Sequence, residues 1–185
     1  MSEWYETLTG LHGRVWDTLA RGVADARHPA RLPTLATLSP DGWPEARTLV
    51  LRAADAAAHS VTLHTDLYSD KITSLRYSPR AALHIWDADQ ALQVRLQATV
   101  TIESGNATRA LWDRVPDHAQ QSYGVTPPPG TPIPTALDYV KSPDPDSFAV
   151  LECAITHVDA VHLGTQHRRA AFSRGSDWVG QWLSP

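Results

Sequence analysis

The sequence predicts a mainly β, antiparallel domain with flanking helices, its strands closing or nearly closing into a barrel. Three observations carry that expectation. Short apolar runs with polar and apolar alternation recur along the chain, separated by turn chemistry. One amphipathic stripe occupies residues 3–26, ahead of the strands. The chain has 185 residues and is 42% apolar, enough for one core and one domain, 1–185. Closure follows because a barrel leaves no exposed strand edge.

The elements follow in order. Trp4, Leu8, Leu11, Val15, Trp16, Leu19 and Val23 recur at three- and four-residue spacings, which predicts a helix over 3–26 within an N-terminal segment 1–28. Gly10 and Gly13 lower its helical preference and mark where a break would fall. Pro29 ends it, because the residue before a proline is pushed out of the helical region. Strands are expected at 35–38 and 45–52, joined by the turn Ser39-Pro40-Asp41-Gly42. A third strand spans 60–65. Ser69 is placed to cap a helix through Tyr77, and Pro79 stops it. Strands at 81–86 and 92–103 follow. In the latter, Val94, Leu96, Ala98, Val100 and Ile102 alternate with Arg95, Gln97, Thr99 and Thr101, giving a buried and a wet face. A helical stretch over 106–123 is interrupted near Pro116. Residues 126–146, rich in proline, read as an ordered surface loop. Strands at 148–156, 160–163, 169–173 and 178–183 complete the chain.

Composition excludes several functions. The formal net charge is −4 and no block of like charges occurs, so a nucleic-acid surface is not expected. No apolar run is long enough to cross a bilayer. Cys153 is the one cysteine, in a strand-like context that implies a buried inert thiol, and no intrachain disulfide is possible. The first residues lack the basic and apolar stretches of a secretory signal, so the cytoplasm is the expected location. His157, His162 and His167 fall five apart in strand-rich sequence, which puts neighbours on opposite faces, so zinc is not expected.

The cations are few but bunched, and the strongest signal lies between residues 47 and 100. Arg47 to Arg52 (Arg-Thr-Leu-Val-Leu-Arg), His64-Thr65 and Gln93-Val94-Arg95 place anion-binding side chains at strand ends, with Ser69-Asp70-Lys71 at a helix start between them. Guanidinium, ammonium, hydroxyls and a helix N-terminus at one locus suit a phosphate with a flat ring system behind it, as in flavin mononucleotide (FMN). Taken singly, each side chain has a bland reading: Arg47 and Arg52 as strand-surface residues, Lys71 as a solvated helix residue, Gln93 as a cross-strand polar residue. The joint spacing favours the ligand.

Those segments, with Tyr77 to Trp86, Gln166 to Arg169, and Trp178 and Leu183 to Pro185, resemble the pyridoxamine 5′-phosphate oxidase-like family over about residues 30–103 and 148–185. The resemblance implies a split β-barrel that dimerises and binds FMN at the subunit interface. It implies that Arg47 and Lys71 grip the phosphate with Thr65 and Ser69. Thr48, Leu49, Val50 and His64 come with the same strand segments, and Arg52 sits toward the flavin pyrimidine or the substrate. Gln93 and Arg169 reach the cofactor from the partner chain. His167 is a substrate contact; no catalytic acid or base is implied.

Some positions depart from the family. With the family proline aligned on Pro116, the Tyr, Arg and Ser that bind the substrate phosphate become Leu111, Val115 and Ala119. Asp70 stands where Arg is common, and Val161 or His162 where an aromatic is. The C-terminal substrate pair is reduced to His167, with Thr165 upstream. The sequence therefore implies an FMN-dependent oxidoreductase acting on an unknown small substrate and distinct from the vitamin B6 enzyme. The alternative is a non-catalytic flavin- or haem-binding module.

Overall fold

The computed structural model describes residues 3–185; the first two residues of the 1–28 segment lie outside it. The N-terminal stripe forms a short 3-10 turn, Trp4–Glu6, then helix α1, Leu8–Ala24. The break falls at Thr7, not at Gly10 or Gly13. Thr7 caps α1 by accepting a hydrogen bond from the Gly10 N–H at 3.0 Å, so the chain stops and restarts where a cap is available. Leu11, Val15, Trp16 and Leu19 are buried, as their spacing requires.

The strands are β1 (Thr34–Leu38), β2 (Pro44–Thr48), β3 (Leu51–Asp55), β4 (Ser60–Asp66), β5 (Arg80–Asp87) and β6 (Leu92–Ser104). After a stretch of short helical turns come β7 (Val125–Thr126), β8 (Val140–Lys141), β9 (Phe148–His162), β10 (Arg168–Ser173) and β11 (Gln181–Leu183). Helix α2 (Asp70–Tyr77) lies between β4 and β5. The hairpin between β1 and β2 turns as expected: the Gly42 N–H donates to the Ser39 carbonyl at 2.9 Å, and Gly42 takes a φ of 84°.

Three expectations are corrected. The single strand expected over 45–52 is two, because β2 pairs with β1 whereas β3 pairs with β4. Residues 49–50 carry the chain from one branch of the sheet to the other. Leu49-Val50-Leu51 is one continuous apolar run without a turn residue, so nothing in the residue types marks the change of partner. Conversely, the strands expected at 148–156 and 160–163 are one strand, β9. It passes a bulge opposite Gln97–Ala98, where Thr156 is the extra residue and donates through Oγ1 to the Gln97 carbonyl at 3.3 Å. The last strand is shorter than expected, since Asp177 and Trp178 take left-handed φ values.

The main sheet runs β11-β10-β9-β6-β5-β1-β2, all antiparallel. One edge of β9 pairs along its length with β6. Its other edge is divided: residues 148–154 pair with β4 and residues 157–162 with β10. These two branches part at the bulge, and the fold is a split β-barrel of mainly antiparallel strands with flanking helices. Leu92, Val94, Leu96 and Ala98 of β6 meet Leu83 and Ile85 of β5, Leu151, Cys153 and Ile155 of β9, and the buried stripe of α1 in one core. A satellite cluster of Trp112, Val115, Tyr123, Phe148 and Val150 lies beneath the segment after β6. Among the described residues no helix is long and apolar enough to cross a membrane.

Candidate functional site

Two features of local sequence build the site. Strand β4 ends at Thr65-Asp66, and its buried carboxylate arrests the chain: Asp66 Oδ1 accepts from the Tyr68 N–H at 2.8 Å, and Oδ2 from the Gly124 N–H at 3.0 Å. This pins the start of α2 and the loop after Tyr123 to one point. Ser69 occupies the N-cap position of α2, but its hydroxyl makes no cap bond. It donates instead to the Asp66 carbonyl at 2.7 Å and lies 3.3 Å from Thr65 Oγ1.

Lys71 projects from the first turn of α2 and donates from Nζ to Thr65 Oγ1 at 3.1 Å. Among the described residues no carboxylate lies within ion-pair distance of that ammonium. Burial lowers its pKa below the ordinary lysine value, and the Arg47 guanidinium lowers it further; Asp66 and Asp70 oppose this. A desolvated ammonium with a cation for a neighbour is favoured by an added anion.

These groups line a cavity of about 320 Å³ together with Thr48, Leu49 and Val50, Arg52 and His64. Arg52 Nε and His64 Nδ1 are buried there without a hydrogen-bond partner. Burial, followed by the charge of Arg52, lowers the His64 pKa to about 4, so the imidazole is neutral near pH 7. Orphaned buried polar atoms are costly unless a ligand satisfies them. The donor set (ammonium, guanidinium, hydroxyls) fits a phosphate, and the Leu49–Val50 wall fits an apolar ring.

Arg47 does not line this cavity. Its guanidinium donates to Thr37 Oγ1 at 2.6 Å and to Glu45 Oε2 at 2.9 Å, and Ser74 of α2 donates to that same carboxylate oxygen at 3.0 Å. It stands near Lys71 but is engaged by Glu45. Asp70 is exposed and does not line the cavity; a Cβ on Gly130 would lie 3.0 Å from its carboxylate oxygens, which places it against the Pro-rich loop. Within that loop, residues 126–146, β7 and β8 form a short two-stranded pair and the rest is irregular.

Gln93 and Arg169 lie elsewhere on the protomer. Register aligns Trp86, Gln93, Val161, Arg169 and Leu183 across neighbouring strands, on the sheet face that points away from the core. Arg169 donates to Asp159 from Nε at 3.2 Å and from Nη2 at 2.8 Å, and Arg95 pairs with the same carboxylate. Burial raises the Asp159 pKa, but hydrogen bonds from the two arginines outweigh it and hold the carboxyl below its ordinary range. His167 is exposed in the turn between β9 and β10. His162 is covered by the N-terminal segment, its ring stacked 4.1 Å from that of Tyr5.

Sequence reasoning missed Tyr123, Ser122, Asp66, Leu32 and Pro129, which also line the cavity. Asp66 carried a signal, a lone acid between a strand and a helix start. Tyr123 carried none, since it reaches the cavity only because Asp66 anchors the next residue. Leu111 and Val115, at the positions of the family's substrate-phosphate ligands, line an adjoining cavity that shares Arg52 and His64 with the first.

Residues 14–104 match the family described as pyridoxamine 5′-phosphate oxidase, FMN-binding domain. A pyridoxine/pyridoxamine 5′-phosphate oxidase of Anaeromyxobacter dehalogenans is 30% identical over 173 residues, covering 93% of this chain and 77% of that protein. Matches to oxidases of the same name are shorter, at 37% identity over 82 residues in Microcystis aeruginosa and 33% over 120 in Xanthomonas oryzae; they span 37% and 59% of those proteins' lengths. A pyridoxamine 5′-phosphate oxidase-related, FMN binding protein of Nostoc punctiforme superposes with a TM-score of 0.76 at 25% identity, covering 94% of this chain and 96% of that one. PhzG of Burkholderia lata shares the fold, with a TM-score of 0.72 at 20% identity over 93% and 90% of the chains. Split barrel, strand motifs and the long match to the Anaeromyxobacter protein agree, and the chain belongs to the pyridoxamine 5′-phosphate oxidase-like FMN-binding family.

Proposed function

We propose that the protein binds FMN in the cavity between the ends of β2, β3 and β4 and the start of α2, and acts as an oxidoreductase on a small substrate. The observation that carries this reading is the desolvated ammonium of Lys71, held by Thr65, facing a cavity with no carboxylate partner of its own. Lys71, Thr65 and Ser69 hold the phosphate, which two or more charge-assisted hydrogen bonds suit. Arg47 joins them by exchanging Glu45 for the anion. The backbone of Thr48, Leu49 and Val50, with Arg52 and His64, borders the ring. FMN held there would supply hydride-transfer chemistry, with oxygen or another acceptor taking the electrons. The chain's own part is to position, desolvate and exclude water.

The same reading makes the active unit a homodimer, with Gln93 and Arg169 completing the site from the partner subunit and His167 touching the substrate. It places the protein in the cytoplasm, where a free thiol such as Cys153 persists; burial pushes that thiol up to about 12, so it is inert.

Visible absorption of the purified protein, followed by titration with FMN, tests the proposal. Flavin bands with saturable one-per-subunit uptake are expected; a colourless protein indifferent to FMN would end it. A non-catalytic flavin- or haem-binding module is the second reading, favoured by Leu111, Val115 and Ala119 in place of substrate-phosphate ligands. A Soret band, or bound FMN that no offered reductant reduces, would establish it.

A further inference from the structure

We infer that the cavity adjoining the FMN cleft is a substrate pocket for flat, apolar carboxylates and not for phosphorylated compounds; this rests on the FMN reading above. The cavity has a volume of about 400 Å³, and Arg52 and His64 form a wall common to it and the FMN cleft. A molecule seated there would lie beside the cofactor's cleft, where hydride transfer to a bound flavin needs it.

Four of its lining residues are apolar. Leu111, Val115 and Pro116 face Ala53 across it. Val115 is itself fixed by the satellite cluster with Trp112, Tyr123 and Phe148, so the wall is a packed surface and not a loose side chain. Tyr123 also lines the FMN cavity, so one cluster supports both. Apolar walls of this size select a ring-sized apolar body.

The polar groups select a single negative charge. No Asp or Glu lines the cavity. Arg114 stands at its rim, exposed and free of any ion pair among the described residues; its Nε donates to the Ala110 carbonyl at 3.2 Å. Arg52 adds a second guanidinium to the lining, one that also engages Tyr123. The hydroxyl of Thr62 already donates to Glu152 at 2.8 Å, so no free hydroxyl donor remains for a phosphate. The contrast lies next door, where Lys71, Thr65 and Ser69 converge on one point. Guanidinium groups alone suffice for a carboxylate, whereas the ammonium and free hydroxyls that a phosphate dianion also takes up are found only in the neighbouring cleft.

The test uses the FMN-loaded protein and calorimetric titration with naphthoate, its neutral counterpart naphthalene methanol, and pyridoxamine 5′-phosphate. Naphthoate is expected to bind about tenfold or more tightly than either of the others, the scale of one charged hydrogen bond. Arg114→Ala and Ala53→Phe, both at exposed positions, are each expected to weaken naphthoate by about tenfold, by removing the charge and by filling the cavity. FMN affinity is measured by absorption on the same proteins. Equal affinity for the three compounds, or a preference for pyridoxamine 5′-phosphate, with normal FMN uptake overturns the pocket assignment alone. Loss of FMN and naphthoate together in either variant overturns the separation of the two cavities. A wild-type protein that takes up no FMN overturns the flavin reading on which the pocket depends.

Discussion

At the scale of single residues, Lys71 and His64 carry the sharpest consequences. Replacing Lys71 with alanine removes a charge-assisted contact to phosphate, which is worth about 1.5–3 kcal/mol, or roughly ten- to a hundredfold in affinity. The loss is expected for FMN and not for riboflavin, which lacks the phosphate; equal losses in fluorescence titrations would mean that Lys71 holds no anion. Its lowered pKa adds a direction. As pH rises, the advantage of FMN over riboflavin is expected to decline at a lower pH than the ordinary lysine value of 10.5 would give. His64 bears on stability. Its folded-state pKa of about 4 lies below its ordinary value of 6.5, so the unfolded chain binds the proton first as pH falls. The contribution is intact above 6.5 and is lost progressively toward 4. Thermal melts of wild type and His64→Asn across that window are expected to converge as pH falls. A constant difference in Tm would show that His64 does not titrate as its burial dictates.

At the scale of elements, α1 shows how similar residues in one helix act in opposite ways. Gly22 is buried against the turn after the helix: a Cβ there would lie 2.6 Å from the Ala30 carbonyl carbon, closer than backbone can tolerate. Gly13 has nothing within 4 Å of the same built atom. Gly22→Ala is therefore expected to destabilise by about 1–3 kcal/mol through overpacking. Gly13→Ala is expected to stabilise by about 0.5–1 kcal/mol through helix propensity and lost unfolded-state freedom. Urea unfolding of both variants separates these; a shift of the same sign in both would refute the packing argument. The spacing of Leu11, Val15 and Leu19 made α1 legible, yet nothing in it distinguishes the two glycines, because the atom that meets Gly22 belongs to a residue beyond the helix. The branch at residues 49–50 was hidden for a related reason: the apolar run Leu49-Val50-Leu51 crosses it without a turn residue while the partners of β2 and β3 change.

At the scale of the whole molecule, the candidate residues fall in two separate places on the protomer. Lys71, Thr65, Ser69, Arg52 and His64 converge on one cavity, whereas Gln93 and Arg169 stand on the outward sheet face beside Val161. If a second copy supplies them, FMN affinity is expected to fall when the protein is diluted below its dimer dissociation constant. Arg169→Glu is expected to weaken FMN by about tenfold or more and to lower dimer content. Analytical ultracentrifugation alongside an absorption titration measures both; a monomer with full FMN affinity would sink the shared-site reading.

The sequence by itself determined the strand alternation, the Pro-Asp-Gly turn, the amphipathic helix and the bunching of cations near Lys71. Each is encoded within a few consecutive residues, by side-chain period or backbone preference. It also marked Leu111 and Val115 as unable to bind phosphate, a matter of chemistry alone. Tertiary structure decided the rest. It joined two expected strands into β9, engaged Arg47 with Glu45, turned Asp70 toward the Pro-rich loop, and brought Tyr123 to the cavity through the Asp66 carboxylate. Each of these depends on contacts between residues far apart in the chain, which no local pattern specifies.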